Sequence, residues 1–208
     1  MRPIASAVIG SITQDVTRTA NTSGESALGD LIADAQLADP TVVTGGQTPV
    51  IAFMNPGGIR ADLTYNNSPY GEPAGDVTYE EAFTVQPFNN YLVSLTMTGS
   101  QIKTLLTQQW SGVNAALPKI LQVSKGFAYT YTGTTLGSVT LNGSPLVDGQ
   151  SYRIVTNNFL SDGGDGFPIF TQATGKYFGG LDIKAFADYL KAESPYTPAP
   201  LTRITKLG

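Results

Sequence analysis

The chain has 208 residues, a formal net charge of −4 and a sequence pI of about 4.7. This acidic balance argues against a general nucleic-acid binder, which would carry a basic face. The lack of cysteine excludes a disulfide framework and thiolate chemistry. No apolar run approaches the roughly 20 residues of a membrane span, and "MRPIASAVIG" lacks the apolar core of a signal peptide.

The first third of the chain predicts an extended segment, a helix and a buried strand. Residues 1–21 read as an extended lead-in, in the position of an interdomain linker, and residues 22–208 as the domain. The stretch "TSGE", Thr22 to Glu25, matches a capping box and predicts the start of the first helix. The short apolar run "VIAFM", 50–54, predicts a buried strand that enters a loop.

Helix and strand signals continue to alternate along the rest of the chain. Capping boxes at Thr78 and Thr98 predict two more helices, and Asp182 is expected to cap a last one. Between them, "YLVSLTM" alternates like a half-buried strand, Asn142-Gly143 predicts a hairpin, and "LTRITKL" reads as a closing strand. The pattern predicts a single α+β domain with a mixed β-sheet and helices on its faces.

Histidine is absent from the sequence. A dinuclear phosphoesterase site, the usual zinc site and a Ser-His-Asp triad all require imidazole. We therefore expect that any such hydrolysis is not performed by this chain alone.

The stretch "MNPGGIR", 54–60, combines a tight turn with polar groups. Gly57 and Gly58 let backbone approach a ligand closely, Asn55 offers a donor and an acceptor, and the guanidinium of Arg60 suits phosphate or carboxylate. From spacing alone, a plain turn with a surface arginine explains the same residues.

Two further stretches place phenylalanine beside polar loops. In "VQPFNNYLV", Phe88 suits stacking on a flat ligand or plugging the core. In "NNFLSDGGDGF", Phe159 ends a strand and Asp165 lies among glycines that permit positive φ. That loop lacks the ligand spacing of a calcium-binding EF-hand, although a plain Gly-rich turn remains an alternative.

Five stretches occur together in one order: "ESALGDLIADA", "NPGGIR", "QPFNN", "LTMTGSQIKTLL" and "NNFLSDGGDGF". This order resembles the C-terminal domain of secreted and surface 5'-nucleotidases, a family that includes UDP-sugar hydrolases and 2',3'-cyclic phosphodiesterases. The resemblance spans roughly residues 15–207. It implies a nucleotide-binding domain in an extracellular, cell-surface or periplasmic protein.

The resemblance also implies a role for each candidate residue. Phe88 and Phe159 would clamp the base, Asn55 would contact it, Arg60 would contact phosphate, and Asp165 would accept from the ribose hydroxyls. A separate N-terminal metallophosphoesterase domain, absent from this chain, would hold two divalent metal ions. Thr22 stands where many members carry an arginine, so Arg18 is a candidate for added phosphate contact.

Two other interpretations stay open at the level of sequence. An alternative is a free-standing nucleoside-binding or adhesion module without catalysis. A purely structural domain, with every aromatic side chain in the core, would bind no nucleoside at all. The leading expectation is the recognition domain of a metal-dependent 5'-nucleotidase, inactive as an isolated chain.

Overall fold

The computed structural model describes residues 4–208, and the expected α+β class is confirmed. The helices are α1 (Ala27–Ala38), α2 (Tyr79–Val85), α3 (Gly99–Gln108), α4 (Asn158–Ser161) and α5 (Asp182–Ala192). The strands are β1 (Val8–Ser11), β2 (Ile51–Met54), β3 (Asp76–Thr78), β4 (Tyr91–Thr98), β5 (Gln122–Val123), β6 (Phe127–Thr132), β7 (Thr135–Leu141), β8 (Ser144–Pro145), β9 (Ser151–Asn157), β10 (Thr174–Leu181) and β11 (Ile204–Lys206). None of the described helices has both the length and the apolar character needed to cross a bilayer.

The strands form a mixed five-stranded sheet and two smaller sheets, where a single mixed sheet was expected. The five-stranded sheet has the order β10-β4-β9-β2-β5, with β2 and β9 parallel and the other neighbours antiparallel. A second sheet has the order β11-β6-β7-β8, and β1 pairs with β3. The hairpin predicted at Asn142-Gly143 joins β7 to β8, and both residues have the positive φ of a type I′ turn.

The two faces of the five-stranded sheet are buried by different layers. On one face, Phe53 and Leu95 pack with α3 and with the aromatic side chains of β6. On the other face, Ala52 and Val155 pack against α1 and α5. Strand β4, which lies between β10 and β9, is therefore buried almost throughout, and its predicted half-buried character was wrong.

The lead-in expected over residues 1–21 contributes structure to the domain from residue 4 onward, the first three lying outside the described residues. Strand β1 pairs with β3, and Ile12 and Val16 are buried with the side chains of α1 and α5. The described part of this segment therefore packs with the domain, and the interdomain role expected for it stays a prediction.

The capping signals were right for two helices and displaced at two others. Thr78 and Thr98 both form the predicted capping boxes. Helix α1 instead begins after Ser26, whose hydroxyl accepts from the backbone N–H of Gly29. Glu25 cannot close the expected box because its carboxylate accepts the backbone N–H groups of residues 203 and 204. The last helix begins one residue earlier than expected: Asp182 is its first helical residue, and Leu181 occupies the N-cap position.

Candidate functional site

Three strands of the central sheet end or begin at the same edge. Because β2 and β9 are parallel, their carboxyl ends lie together, and the register pairs Ala52 with Val155. Strand β4 runs antiparallel to β9 and pairs Leu92 with Asn157, so its amino end reaches the same edge. The loops that follow β2 and β9, and the loop that precedes β4, are consequently neighbours. Ligands in open α/β sheets commonly bind beyond such carboxyl ends.

A cleft of about 490 Å³ opens between these loops. This volume lies within the range of small-ligand sites. All seven side chains and glycines singled out in the sequence line the cleft, together with one further residue, Asn90. The lining residues are Asn55, Gly57, Gly58, Arg60, Phe88, Asn90, Phe159 and Asp165.

Asn55 lies at the centre of a hydrogen-bond chain below the cleft. It is 4% exposed, its amide nitrogen donates to Asp165 Oδ2 at 2.7 Å, and its amide oxygen accepts from Asn157 Nδ2 at 3.0 Å. Asn157 is fully buried and also caps α4 by accepting from the Leu160 N–H. These hydrogen bonds therefore tie the loop after β2 to the segment after β9 and fix both.

The two glycines of the first loop serve different purposes. A Cβ on Gly58 would lie 2.4 Å from the terminal methyl of the buried Met54 and 3.1 Å from Asn55 Oδ1, so the Met54 side chain would have to shift to admit it. A Cβ on Gly57 would meet its nearest atom, Asp165 Oδ2, at 3.7 Å. Gly57 is exposed and leaves room at the cleft wall, which fits the expectation that backbone here approaches a ligand.

Arg60 and Arg18 converge on the same short piece of backbone. Arg60 is exposed and donates from Nη1 to the carbonyl of Gly57 at 3.3 Å, while its own N–H bonds to Val85 O. Arg18 donates from Nη1 to the carbonyl of Ile59, also at 3.3 Å. Neither guanidinium forms an ion pair within residues 4–208. Two guanidinium groups therefore flank this end of the loop, and the nearby Asp62 carboxylate accepts the backbone N–H of Arg18 at 2.7 Å.

Phe88 and Phe159 are among the exposed large apolar side chains, at 54% and 45% exposed. Asn89 has a φ of 51°, a left-handed conformation that asparagine tolerates, at the turn between two lining residues. The ring of Phe159 lies over Gly164, where a Cβ would come within 2.8 Å of it. Phe167, by contrast, is fully buried, in agreement with the expectation that it is a core residue.

Asp165 occupies a conformation that few aspartates adopt. Its φ is 57°, between Gly163 at 86° and Gly166 at 83°. Both oxygens of its carboxylate are engaged, Oδ2 by Asn55 and Oδ1 by the ammonium of Lys119 at 3.0 Å. The loop thus presents an oriented carboxylate at the cleft wall.

Sequence reasoning missed two residues at this site. Asn90 was visible in "PFNN" but received no role. Lys119 lies 46 residues before its partner Asp165 in a stretch without any recognisable motif, so no sequence signal could have found it.

Burial raises the pKa of Asp182 to about 6, although hydrogen bonds from Ile183 and Asn90 act in the opposite direction. The backbone N–H of Asp182 donates to the carbonyl of Asn90 at 2.8 Å. The start of α5 therefore holds the segment that carries Phe88 and Asn90 at the cleft.

Comparison with known proteins gives the family of this domain. The family described as 5'-nucleotidase, C-terminal domain, matches residues 8–172. The chain belongs to this family.

Known relatives share both the sequence and the structure. Trifunctional nucleotide phosphoesterase protein YfkN of Bacillus subtilis is 36% identical over 178 residues, which are 80% of this chain and 11% of that protein. Cell wall protein Lmo0130 of Listeria monocytogenes is 37% identical over 177 residues, 80% of this chain and 21% of that protein. The crystal structure of a 5'-nucleotidase precursor from Thermus thermophilus superposes with a TM-score of 0.80 at 30% identity, covering 98% of this chain and 40% of that one. The chain thus spans less than half the length of each of these relatives.

Proposed function

We propose that this domain binds a nucleotide in the cleft and presents its phosphate ester to a separate catalytic domain of a 5'-nucleotidase-type hydrolase. The base would lie between Phe88 and Phe159 and contact Asn55. The ribose hydroxyls would donate to Asp165, and the phosphate would lie at Arg60.

The observation that carries this proposal is the convergence of three distant stretches on one cleft. Residues near 55, 88 and 160 belong to segments that the sheet topology brings to one edge, and each segment carries a group suited to one part of a nucleotide. Exposed phenylalanine rings suit a π-face, a carboxylate suits a diol, and a guanidinium suits phosphate. Phe88 and Phe159 are both about half exposed and line the same cleft, whereas the similarly exposed Phe178 does not line it.

We further propose that the hydrolytic step belongs to a metallophosphoesterase domain outside this chain, where two divalent metal ions would be held. The residues present do not fit such a centre. The chain has no histidine, and residues 4–208 contain no group of three or more acidic side chains arranged around a possible ion. We assign the chain to an extracellular, cell-surface or periplasmic protein, as the resemblance implies.

Titration of the purified chain with adenosine and AMP, followed by amide chemical shifts, tests the binding proposal. We expect saturable shifts at Asn55, Phe159 and Asp165 with millimolar ligand, and no release of phosphate from AMP with Mn²⁺ or Zn²⁺ added. Absence of shifts at these three residues would refute nucleotide binding by the cleft. Measurable AMP hydrolysis by the pure chain would refute the assignment of chemistry to another domain.

A further inference from the structure

The carboxylate of Asp165 is held from two sides by groups on different parts of the chain. Asn55 Nδ2 donates to Oδ2 at 2.7 Å, and Lys119 Nζ donates to Oδ1 at 3.0 Å. An ionised carboxylate has about four lone-pair sites. One site on each oxygen remains after these two bonds. Two remaining acceptors match the two hydroxyl donors of a ribose cis-diol.

The segment that carries Lys119 also holds the backbone of Asp165. Asn114 is 1% exposed and donates from Nδ2 to the carbonyl of Asp165 at 2.9 Å. Gly166 packs directly against this segment, because a Cβ there would lie 2.4 Å from Val113. The backbone N–H of Lys119 is fixed in turn by the carbonyl of Gln109 at 2.9 Å. A left-handed aspartate is unfavourable, and these contacts from residues 109–119 stabilise it.

We propose that Lys119 is a positioning residue that orients Asp165 for a ribose diol and thereby makes ribose recognition depend on its charge. The proposal rests on nucleotide binding in the cleft. Lys119 does not line the cleft, so it acts through Asp165. The Lys119 ammonium also offsets the negative charge of Asp165, which would otherwise repel the phosphate of an incoming nucleotide.

A plain surface ion pair is the competing explanation for the contact. Exposed ion pairs typically contribute little to stability. The Lys119–Asp165 pair differs because the Asp165 side chain is only 19% exposed and its other oxygen is already engaged. Loss of the ammonium would leave a partly buried carboxylate free to rotate away from the diol.

Selectivity between nucleosides separates positioning from simple stability. Adenosine has both ribose hydroxyls, and 2',3'-dideoxyadenosine has neither while keeping the same base. We expect Lys119→Met to weaken adenosine binding about 3- to 10-fold and to change dideoxyadenosine binding less than about 2-fold. Lys119→Arg, which keeps the charge, should restore most of the adenosine affinity.

Lys103→Met is a matched control. The Lys103 side chain is 36% exposed, the same as that of Lys119, and it pairs with Asp148 away from the cleft lining. This control should leave both affinities unchanged. If Lys119→Met does not fold, Lys119→Gln permits the same comparison, since it removes the charge and keeps a donor.

Each outcome of the titrations decides the question. Equal weakening of both nucleosides, or no change for either, overturns the positioning role while leaving the proposed function intact. Failure of the unaltered chain to bind adenosine overturns both. Selective weakening of adenosine with rescue by arginine supports the proposal.

Discussion

Phe159→Ala is the sharpest test of the proposed base clamp. The ring is 45% exposed and belongs to the short helix α4, so its removal takes away little of the core. Aromatic side chains can bury about 200 Å², so roughly 90 Å² of this ring is free for a base to cover. At about 25 cal/mol per Å² that area corresponds to about 2 kcal/mol. This magnitude agrees with the range of about 1–3 kcal/mol for base–aromatic stacking.

The expected result is therefore a loss of about 30-fold in affinity for adenosine, since about 1.4 kcal/mol equals a factor of ten. Titration by calorimetry or amide chemical shifts measures it. Phe159→Trp should bind at least as well as the unaltered chain, because the larger ring still stacks.

Phe83→Ala serves as the control for this prediction. Phe83 is 36% exposed on α2 and does not line the cleft. Its truncation should leave the affinity within about twofold of the unaltered chain, as expected for a surface substitution. Adenosine binding by Phe159→Ala that is equally unchanged, in a variant that melts like the unaltered chain, would refute the clamp.

Three further predictions concern phosphate, packing and charge. Arg60→Ala should weaken AMP binding about 10- to 100-fold and leave adenosine binding within about twofold, as measured by parallel titrations; equal effects on both ligands would contradict a phosphate contact. Gly58→Ala should lower the free energy of unfolding by about 1 kcal/mol, because Met54 must move to admit the Cβ, whereas Gly57→Ala should be as stable as the unaltered chain in urea denaturation yet weaken adenosine binding by crowding the cleft; greater destabilisation by Gly57→Ala than by Gly58→Ala would contradict the packing described above. Burial raises the pKa of Asp30 to about 8, with Arg203 opposing the shift, so the folded state binds more protons than the unfolded state between about pH 4 and pH 8. Stability should then fall as pH rises through that range, by up to about 1.4 kcal/mol per pH unit from this group, and Asp30→Asn should flatten the slope in urea titrations at several pH values, whereas an unchanged slope would contradict it.

The sequence predicted two helix caps and the hairpin turn correctly, because these features depend on interactions between residues close together in the chain. The capping boxes at Thr78 and Thr98 need only a side chain and the next turn of backbone, and both form. The hairpin at Asn142-Gly143 follows from two residues that accept positive φ. The cleft residues were predictable because several stretches in one order pointed to one family, although no single stretch identified its own role.

Features that depend on distant partners were not predictable in the same way. The "TSGE" stretch has the composition of a capping box, but Glu25 is fully buried and bonds to the start of β11, nearly 180 residues away. Lys119 reaches Asp165 only because the segment after α3 folds against the loop after β9. Neither pairing leaves a periodicity or spacing in the sequence, since tertiary contact alone brings the partners together.

The two ends of the cleft differ in how many hydrogen bonds their polar side chains make within the domain. At the end near Asp165, a continuous series of hydrogen bonds joins Asn157, Asn55, Asp165 and Lys119 and fixes each group. At the other end, the guanidinium of Arg60 is exposed and bonds to one backbone carbonyl only. Preorganised groups lose little entropy on binding, so the end near Asp165 is suited to holding a ligand in place. Under the proposed function, a phosphate bound at the exposed end would stay accessible from outside the domain, which catalysis by a second domain requires.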